Sequence, residues 1–330
     1  METIAVDLMG GDKAPDAVMR GVLEAVAEQE VTIALVGTAE ALAGCENASQ
    51  AGKNRGRIIP FEASQVVTMA ESPADAWRNK KHSSITIGIQ LVKEGRAGAF
   101  VSAGNSGAVA AASLLILETM AGIDRPAIAT LYRTKTGSVA MLLDVGANVD
   151  CRPAFLLQFG QMGSQYIALL SNGEEDSKGT RLVKEAHKLL KESQLNFIGN
   201  VEGFDLVDGV ADVFVTDCFT GNVVLKLAEA LTTSIFMSLR DALGKSPLAR
   251  ASKILWGPPV RAVARQWFQT DIRGAPLLGV RGNIVMAHGR SEATEIKEGI
   301  TLARRMVREG WSSAQPDLGS INKSLRTVSD

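Results

Sequence analysis

The stretch FVSAGNSGAVAAASLL, residues 100–115, passes from an apolar run through a Gly-Asn-Ser-Gly turn into an alanine-rich segment. This order predicts a strand, a tight connection and a helix. The first turn of a helix has N–H groups without intrahelical partners and a positive dipole end, so it attracts anions. Glycine lets a ligand approach the main chain, and Asn or Ser can cap the helix. The turn therefore predicts either a phosphate or carboxylate site or an ordinary capped connection.

The same alternation of strand and helix continues on both sides of this stretch. Short β-rich runs such as VTIALVG (31–37) and SVAMLLDVG (138–146) are separated by helical patterns. The predicted helices include 16–29, 73–95, 106–119, 154–166, 179–193 and 223–243. This alternation predicts an α/β fold with a mostly parallel sheet covered by helices on both faces. No internal repeat or linker divides the chain, so we predict a single large α/β domain over residues 1–330.

Composition narrows the possible functions. The 330 residues are 46% hydrophobic and 22% charged, which is typical of a soluble globular protein. A net charge of −1 argues against a general nucleic-acid binder. Cys45, Cys151 and Cys218 have no metal-like spacing, so we predict free thiols in a reducing compartment and no metal site. The N-terminus lacks a signal-like pattern, and no apolar run reaches the length of a membrane span. We therefore expect a cytoplasmic protein.

Polar, glycine-containing turns follow several predicted strands. These turns are residues 9–12, 104–107, 147–150, 173–175 and 218–222. Ligands of parallel α/β sheets bind beyond the carboxyl ends of the strands. We therefore expect these turns to lie at one edge of the sheet and to form one polar site.

Familiar nucleotide and hydrolase motifs are absent from the sequence. DALGKSP (241–247) contains Gly-Lys-Ser but lacks the first glycine of a P-loop, and a helix precedes it. No GxGxxG opens a helix, which weakens a dinucleotide-dependent function, and Gly104-Asn105-Ser106-Gly107 does not fit GxSxG. His187 lies in a polar helical pattern and is expected to be exposed. His288 follows an apolar strand and is expected to reach the site.

Many of these segments together resemble the bacterial phosphate acyltransferase family. They are AVDLMGGDKAP, VSAGNSGA, GIDRPA, LLDVGANVDCRP, NGEEDSKG, NFIGNVEG, VTDCFTGN and GAPLLGVRG. The resemblance covers nearly the whole chain. It implies a Rossmann-like α/β/α fold similar to the isocitrate and isopropylmalate dehydrogenases, and a homodimer. It also implies transfer of a fatty acyl group from acyl-acyl carrier protein (acyl-ACP) to inorganic phosphate, without a cofactor, as the first step towards phosphatidic acid.

The chemistry of this reaction gives the candidate residues their roles. Phosphate is itself the nucleophile, so the protein must hold an anion and stabilise an oxyanion. The phosphate- or substrate-binding candidates are Gly10, Gly11, Gly104, Asn105, Ser106, Gly107, Asn148, Thr220 and Gly221. The catalytic candidates are Lys178, Asn222, Asp217 and His288. Lys178 is either a fixed positive charge at a helix start or a solvated surface lysine. Asn222 and His288 can donate hydrogen bonds, Asp217 can orient Lys178, and Glu174 or Glu175 can fix Lys178. Asp7 is expected to be structural.

A basic segment at 245–273 stands apart from these turns. It contains six basic residues, one acid and several aromatics. Three uses remain open, namely dimer packing, docking of the acidic acyl carrier protein, or peripheral contact with a membrane, where a membrane acyltransferase would consume the product. The contact candidates are Lys253, Trp256, Arg261, Arg265 and Trp267.

Two further function classes compete with the acyltransferase. An NAD-dependent dehydrogenase of similar fold is weakened by the missing dinucleotide motif, and a noncatalytic acyl- or ACP-binding protein would need no phosphate turn.

The join between Tyr166 and Ile167 raises a separate question. The predicted helix runs to Tyr166 and the predicted strand starts at Ile167, although such connections take about 2–6 residues. We therefore predict that a connecting loop is missing at this point.

Overall fold

The computed structural model describes residues 2–43, 56–163, 166–245 and 274–311. Its strands are β1 (Glu2–Asp7), β2 (Val31–Gly37), β3 (Arg57–Glu62), β4 (Ala99–Ser102), β5 (Ala127–Arg133), β6 (Val139–Leu143), β7 (Ile167–Leu170), β8 (Phe197–Val201), β9 (Val213–Val215), β10 (Ala275–Leu278) and β11 (Asn283–Met286). Its helices are α1 (Asp16–Glu28), α2 (Pro73–Asn79), α3 (Ser84–Lys93), α4 (Ser106–Leu117), α5 (Pro153–Gly163), α6 (Arg181–Glu192), α7 (Gly203–Asp208), α8 (Cys218–Lys245) and α9 (Ala293–Glu309).

The strands form one eleven-stranded sheet in the order β3-β2-β1-β4-β11-β10-β5-β6-β9-β7-β8. Every residue of β2 is buried, as expected for a strand covered on both faces, whereas all residues of β3 at the sheet edge are exposed or half-buried. Successive side chains point to opposite faces, so Ile4 and Val6 join one apolar cluster while Ala5 joins the other.

Helices cover both faces of this sheet. Helices α1, α5, α6 and α9 pack on one face, and α2, α3, α4, α7 and the start of α8 pack on the other. Along the described part of the sheet, parallel strand pairs outnumber antiparallel ones, which occur only around β10, β5 and β6. The predicted three-layer α/β fold with a mostly parallel sheet is therefore confirmed.

Some elements differ from the sequence-based prediction. The predicted helix over 73–95 is two helices, because Ser83 caps a new helix by accepting a hydrogen bond from the Thr86 N–H. The short strand β10, which contains Pro276, was not predicted, and it runs antiparallel to both of its neighbours. Its two antiparallel pairings cancel, so β5 runs in the direction of β11, and the antiparallel pair β5–β6 reverses the strands that follow.

The strand directions show that the predicted single polar edge is wrong. β1, β4 and β11 run in one direction, and β6, β7 and β9 run in the opposite direction, because β10, β5 and β6 each reverse the chain. We call the edge where β1, β4 and β11 end the first edge, and the edge where β6, β7 and β9 end the second edge. Turns 9–12 and 104–107 lie at the first edge, and turns 147–150, 173–175 and 218–222 follow strands that end at the second.

The predicted end of the helix at Tyr166 is also wrong. Helix α5 ends at Gly163, and β7 begins at Ile167, so three positions separate them. This is an ordinary length for such a connection. The chain continues through Tyr166, whose carbonyl oxygen accepts the Val213 N–H at 3.1 Å. The observed connection is therefore not of zero length, and a missing loop at this point stays a prediction.

Helix α8 extends away from the sheet with an apolar stripe on its surface. Residues four apart along it are 41% to 70% exposed, namely Phe219, Val223, Leu227, Leu231, Ile235 and Leu239. By length and composition alone, the stretch Cys218–Leu239, with a mean hydropathy of 1.2, is long and apolar enough to cross a membrane. The sequence-based expectation considered only uninterrupted apolar runs, and this stretch contains polar residues, so it was not singled out.

Candidate functional site

The turn between β4 and α4 is held by the Asn105 side chain. Its Oδ1 accepts the Ala108 N–H at 3.0 Å and so caps α4. Its Nδ2 donates towards the carbonyl oxygens of Thr68, Met69 and Glu71, at 3.4, 3.2 and 2.8 Å. The side-chain amide is therefore engaged within the protein, and it is the backbone of this turn that remains available to a ligand.

Consecutive backbone N–H groups at the start of α4 lack partners. Among the described residues, no hydrogen-bond acceptor faces the N–H groups of Asn105, Ser106 and Gly107, and the intrahelical series begins when the Val109 N–H reaches the Asn105 oxygen at 2.9 Å. Unpaired N–H groups at the positive end of a helix attract an anion. The Ser106 hydroxyl is exposed beside them. Within the described residues, the start of α4 therefore has the unpaired donors that an anion site requires.

The turns after β1 and β11 close around the same place. The Asp12 N–H donates to the Gly289 oxygen at 2.7 Å, which joins these two turns. Gly11 has a φ of +100°, a backbone conformation that favours glycine, and a side chain there would lie 3.2 Å from the Ala103 Cβ. Gly10, Gly11, Gly104, Asn105, Ser106, Gly107 and His288 are thus brought together at the first edge.

His288 and Arg290 supply donors at this edge. His288 is exposed, and its Nδ1 accepts the Arg290 N–H at 3.1 Å, so in the neutral ring Nε2 carries the proton. The Arg290 side chain is exposed, and no ion pair engages it within the described ranges. Arg290 is not among the residues predicted from sequence, although a basic residue shortly after a strand that ends at this edge was an available signal.

The second edge is organised around Asp144, which is fully buried just after β6. Its carboxylate accepts the N–H groups of Ile128, Gly146 and Ala147 at 3.0 Å and that of Asn148 at 2.9 Å. The Asn148 Nδ2 also donates to Asp144 at 2.8 Å and to the Pro126 oxygen at 2.7 Å. Asn148, predicted to bind substrate, is therefore occupied by bonds within the protein.

Asp217 caps the start of α8. Its Oδ1 accepts the Thr220 N–H at 3.0 Å and its Oδ2 accepts the Thr220 hydroxyl at 2.6 Å. Its contacts therefore lie within its own turn and not with Lys178. Gly221 lies so close to Asp144 that an added Cβ would be 2.1 Å from the Asp144 carbonyl oxygen. Asn222 is half-buried on the next position of the helix.

Lys178 lies on the loop between β7 and α6. Its side chain is 47% exposed, and its Nζ lies 3.9 Å from a carboxylate oxygen of Glu175, at the limit of an ion pair. Within the described residues, no hydrogen bond or ion pair joins Lys178, Asp217 or Asn222 to the first edge. The structure therefore separates the predicted catalytic residues into two groups, with His288 at the first edge and the others at the second.

His187 is buried beside the loop that carries Lys178, and the expectation that it is exposed is wrong. It is 3% exposed, its Nδ1 lies 2.9 Å from Asn200 Oδ1, and its Nε2 lies 3.2 Å from Asp176 Oδ1. The Asn200 Nδ2 in turn donates to the Glu175 oxygen at 3.0 Å. Its place beside Ala186 and in register with Val183 and Leu190, the buried face of α6, was the missed signal.

The described cysteines do not form thiolates readily. Burial, with the nearby charge of Asp144 adding to it, raises the pKa of Cys151 to about 12 and that of Cys218 to about 11. Neither thiol is therefore a nucleophile near neutral pH. Cys45 and the contact candidates Lys253, Trp256, Arg261, Arg265 and Trp267 lie outside the described residues.

Known proteins similar to this chain are acyl-transfer enzymes. A family model described as fatty acid synthesis protein matches residues 2–314. A phosphate acyltransferase of Heliobacterium modesticaldum is 45% identical over 322 residues, which cover 94% of this chain and 96% of the relative. A phosphate acyltransferase of Pelotomaculum thermopropionicum is 43% identical over 315 residues, covering 92% and 91%.

Solved structures share the fold at low sequence identity. A phosphotransacetylase from Streptococcus pyogenes has a TM-score of 0.61 and 18% identity, covering 93% of this chain and 94% of its own. The EutD phosphotransacetylase from Staphylococcus aureus has a TM-score of 0.53 and 16% identity, covering 92% and 94%. At these identities the likeness concerns the fold alone.

Proposed function

This chain belongs to the phosphate acyltransferase family of fatty acid synthesis proteins, and on that premise we propose that it transfers a fatty acyl group from acyl-ACP to inorganic phosphate. A phosphate oxygen attacks the thioester carbonyl carbon and forms the new C–O bond. The C–S bond breaks, the carrier thiolate takes up a proton from solvent, and acyl phosphate is released. Acyl phosphate formation is then the first step towards phosphatidic acid.

The observation that carries the proposal is the start of α4. The unpaired N–H groups of Asn105, Ser106 and Gly107 point to a binding place for the phosphate. A group held in this way enters the reaction without the entropic penalty of a bimolecular encounter. Because Asn105 fixes the turn with its own side chain, the donors are pre-organised before phosphate arrives.

We also assign to the first edge the positive charge and the hydrogen-bond donor that the reaction uses. We assign Arg290 to the phosphate oxygens, since its guanidinium is exposed beside this edge. We assign His288 Nε2–H to the carbonyl oxygen that becomes negative in the tetrahedral intermediate. No protein nucleophile is needed, which agrees with the raised thiol pKa values of Cys151 and Cys218.

The second edge is assigned to the acyl donor. Helix α8 begins there, and the side chain of Lys178 on the neighbouring loop is 47% exposed. We propose that Lys178 and Asn222 contact the polar part of this donor. Asp217, Thr220, Gly221 and Asn148 shape the edge beneath them.

A single N–H group at the phosphate site can be removed by substitution. Ser106 is the first residue of α4, where proline is well tolerated, so Ser106→Pro deletes one N–H and leaves the helix in place. Ser106→Ala is the matched control, because it removes the hydroxyl and keeps the N–H. The assay incubates acyl-ACP with phosphate, without NAD, and measures acyl phosphate and free ACP thiol.

We expect wild-type product to depend on phosphate. Ser106→Pro should raise the phosphate KM about tenfold, because a hydrogen bond to a charged group contributes about 1.5 kcal/mol, while Ser106→Ala changes it little. Thiol release that is independent of phosphate would overturn the proposed reaction. A phosphate KM that Ser106→Pro leaves unchanged would remove α4 from the site.

We further propose a homodimer that packs the stripe of α8 against its copy. A contiguous exposed apolar surface of this kind is typical of an interface. Leu231→Glu should shift sedimentation from dimer to monomer, whereas Thr233→Glu, on another face of the helix, should not. Docking of ACP and peripheral membrane contact in a cytoplasmic setting remain proposed roles for residues 245–273.

A further inference from the structure

We propose that Asp7 is a positioning residue of the phosphate site, which fixes the turn Ala103–Gly107 through the Ser102 hydroxyl without touching substrate. The inference rests on the proposed function, because it takes phosphate as the ligand of that turn. From sequence Asp7 is expected to be structural only, and Ser102 is not among the predicted site residues.

A continuous chain of hydrogen bonds links β1 to the turn after β4. The Gly104 N–H donates to the Ser102 Oγ at 2.9 Å. The Ser102 hydroxyl, having accepted this bond, donates its own proton to Asp7 Oδ2 at 2.7 Å. Asp7 is 1% exposed, and its Oδ1 accepts the Met9 N–H at 3.1 Å. The carboxylate is thus fixed on one side by its own strand and holds the neighbouring turn on the other.

Gly10 packs closely against all three residues of this hydrogen-bond chain. A Cβ on Gly10 would lie 2.6 Å from Asp7 Oδ2, 2.6 Å from the Gly104 nitrogen and 3.0 Å from the Ser102 Oγ. Contacts this short occur only because Gly10 has no side chain. The turns after β1 and β4 therefore meet around the Asp7 carboxylate, and a displacement of Gly104 is passed on to the turn.

The position of Gly104 sets that of the phosphate donors. The unpaired N–H groups of Asn105, Ser106 and Gly107 follow it directly in the chain. Displacements of about 1 Å in a positioning element can lower a rate about 100-fold. If Asp7 loses its acceptor oxygen, the Ser102 hydroxyl is free to rotate, and Gly104 loses its fixed acceptor. The expected consequence is weaker phosphate binding, with the acyl-donor end unaffected.

The test compares Asp7→Asn and Ser102→Ala with Asp144→Asn. Asp144 is the matched control, because it is an equally buried aspartate after a strand at the second edge. Steady-state kinetics with acyl-ACP and phosphate give a separate KM for each substrate, and circular dichroism verifies folding. We expect Asp7→Asn and Ser102→Ala to raise the phosphate KM about tenfold or more, with the acyl-ACP KM within about twofold of wild type, as loss of a bond to a charged group implies. Asp144→Asn should leave the phosphate KM unchanged.

An equal rise of both KM values in Asp7→Asn, or a rise of the phosphate KM in Asp144→Asn, would overturn the positioning role. If Asp7→Asn does not fold, Ser102→Ala decides, since it breaks the same chain with a smaller change. Phosphorus NMR titration with inorganic phosphate provides a readout that does not depend on turnover. If wild-type protein binds phosphate but makes no acyl phosphate, the proposed reaction fails, and phosphate affinity lost in Ser102→Ala but kept in Asp144→Asn still supports the role of Asp7.

Discussion

Asp7 and Asp144 occupy comparable places at opposite edges of the sheet. Asp7 is the last residue of β1, and Asp144 directly follows β6. Both are buried, and desolvation raises the pKa of each carboxyl group above its usual value. Each also has a glycine pressed against it, Gly10 at the first edge and Gly221 at the second. In sequence the two look alike.

Their hydrogen-bond partners differ. Asp144 is surrounded by N–H groups of its own loop and of the start of β5, and these bonds use both carboxylate oxygens. Asp7 accepts one N–H from its own loop, the hydroxyl of Ser102 on a neighbouring strand and the hydroxyl of Ser84 at the start of α3. The second edge thus closes on itself around its carboxylate. The first edge uses its carboxylate to hold a turn whose N–H groups stay open to a ligand.

The largest effect is expected from Gly221→Ala at the closed edge. The added Cβ would lie 2.1 Å from the Asp144 carbonyl oxygen and 2.9 Å from the Thr216 Cγ2. The Asp144 backbone cannot yield easily, because its N–H is bonded to the Thr216 oxygen at 3.1 Å. We expect the free energy of unfolding to fall by about 3 kcal/mol or more in urea denaturation, the upper range for overpacking.

Gly203→Ala is the matched control for this substitution. Nothing lies within 4 Å of a Cβ at Gly203, and the residue opens the helix α7. Its free energy of unfolding should stay within about 0.5 kcal/mol of wild type. Similar stabilities for the two variants would mean that the second edge is loosely packed, and the contrast between the edges would disappear.

The second expected effect is kinetic. Lys178→Ala removes a cation that we assign to the acyl donor, so kcat/KM for acyl-ACP should fall about 100-fold, or about 2.7 kcal/mol. The phosphate KM should change little, because Lys178 lies at the second edge. Arg181→Ala is the control, since this nearby cation is 92% exposed and pairs only with Glu185 at 3.7 Å among the contacts described. A selective rise of the phosphate KM in Lys178→Ala would mean that both edges serve phosphate.

A third prediction tests whether Asn148 is part of the closed edge or of a binding site. Asn148→Ala removes the Nδ2 bonds to Asp144 and to the Pro126 oxygen. Leaving these acceptors unpaired should lower the free energy of unfolding by about 1–3 kcal/mol. We expect both KM values to stay near wild type in the folded variant. Unchanged stability with a raised KM would restore the substrate-binding role predicted from sequence.

The comparison of the edges also shows how far the sequence could predict the site. The strand–turn–helix unit at 100–115 was predicted correctly, because capping and periodicity are local properties. The grouping of five turns at one edge was not, because β5 and β6 pair antiparallel and so reverse the direction of β6, β9 and β7. The two antiparallel pairings of β10 cancel, so β5 still runs in the direction of β11. Local propensity predicts that a segment is a strand but not the direction in which it pairs.

The roles of single side chains depended on contacts that sequence does not encode locally. Ser102 looked like an ordinary strand residue, and its link to Asp7 spans 95 positions in the chain. His187 looked exposed in a charged helix, but its partner Asn200 lies on the following strand. From sequence Asp217 was predicted to orient Lys178. In the structure its carboxylate instead accepts hydrogen bonds from Thr220 in its own turn.

The smallest expected effect is a difference in pH dependence between the two aspartates. Burial raises the pKa of Asp7 above the value of 3.8 in an unfolded chain, so the folded protein binds this proton more tightly than the unfolded one. The resulting stability is complete below that value and is lost as the pH rises towards the folded pKa.

The free energy of unfolding of wild type minus that of Asp7→Asn should therefore decrease with pH from about pH 4 upwards, by at most about 1.4 kcal/mol per pH unit. For Asp144→Asn the sign should be the same, but the window narrower, because more N–H donors hold the charged form of Asp144. Urea unfolding of all three proteins between about pH 4 and pH 8 measures both curves across the range in which a raised carboxyl pKa acts. A difference that increases with pH would show that the Asp7 carboxylate is stabilised in its charged form, and a wider window for Asp144 would reverse the ranking of the two edges.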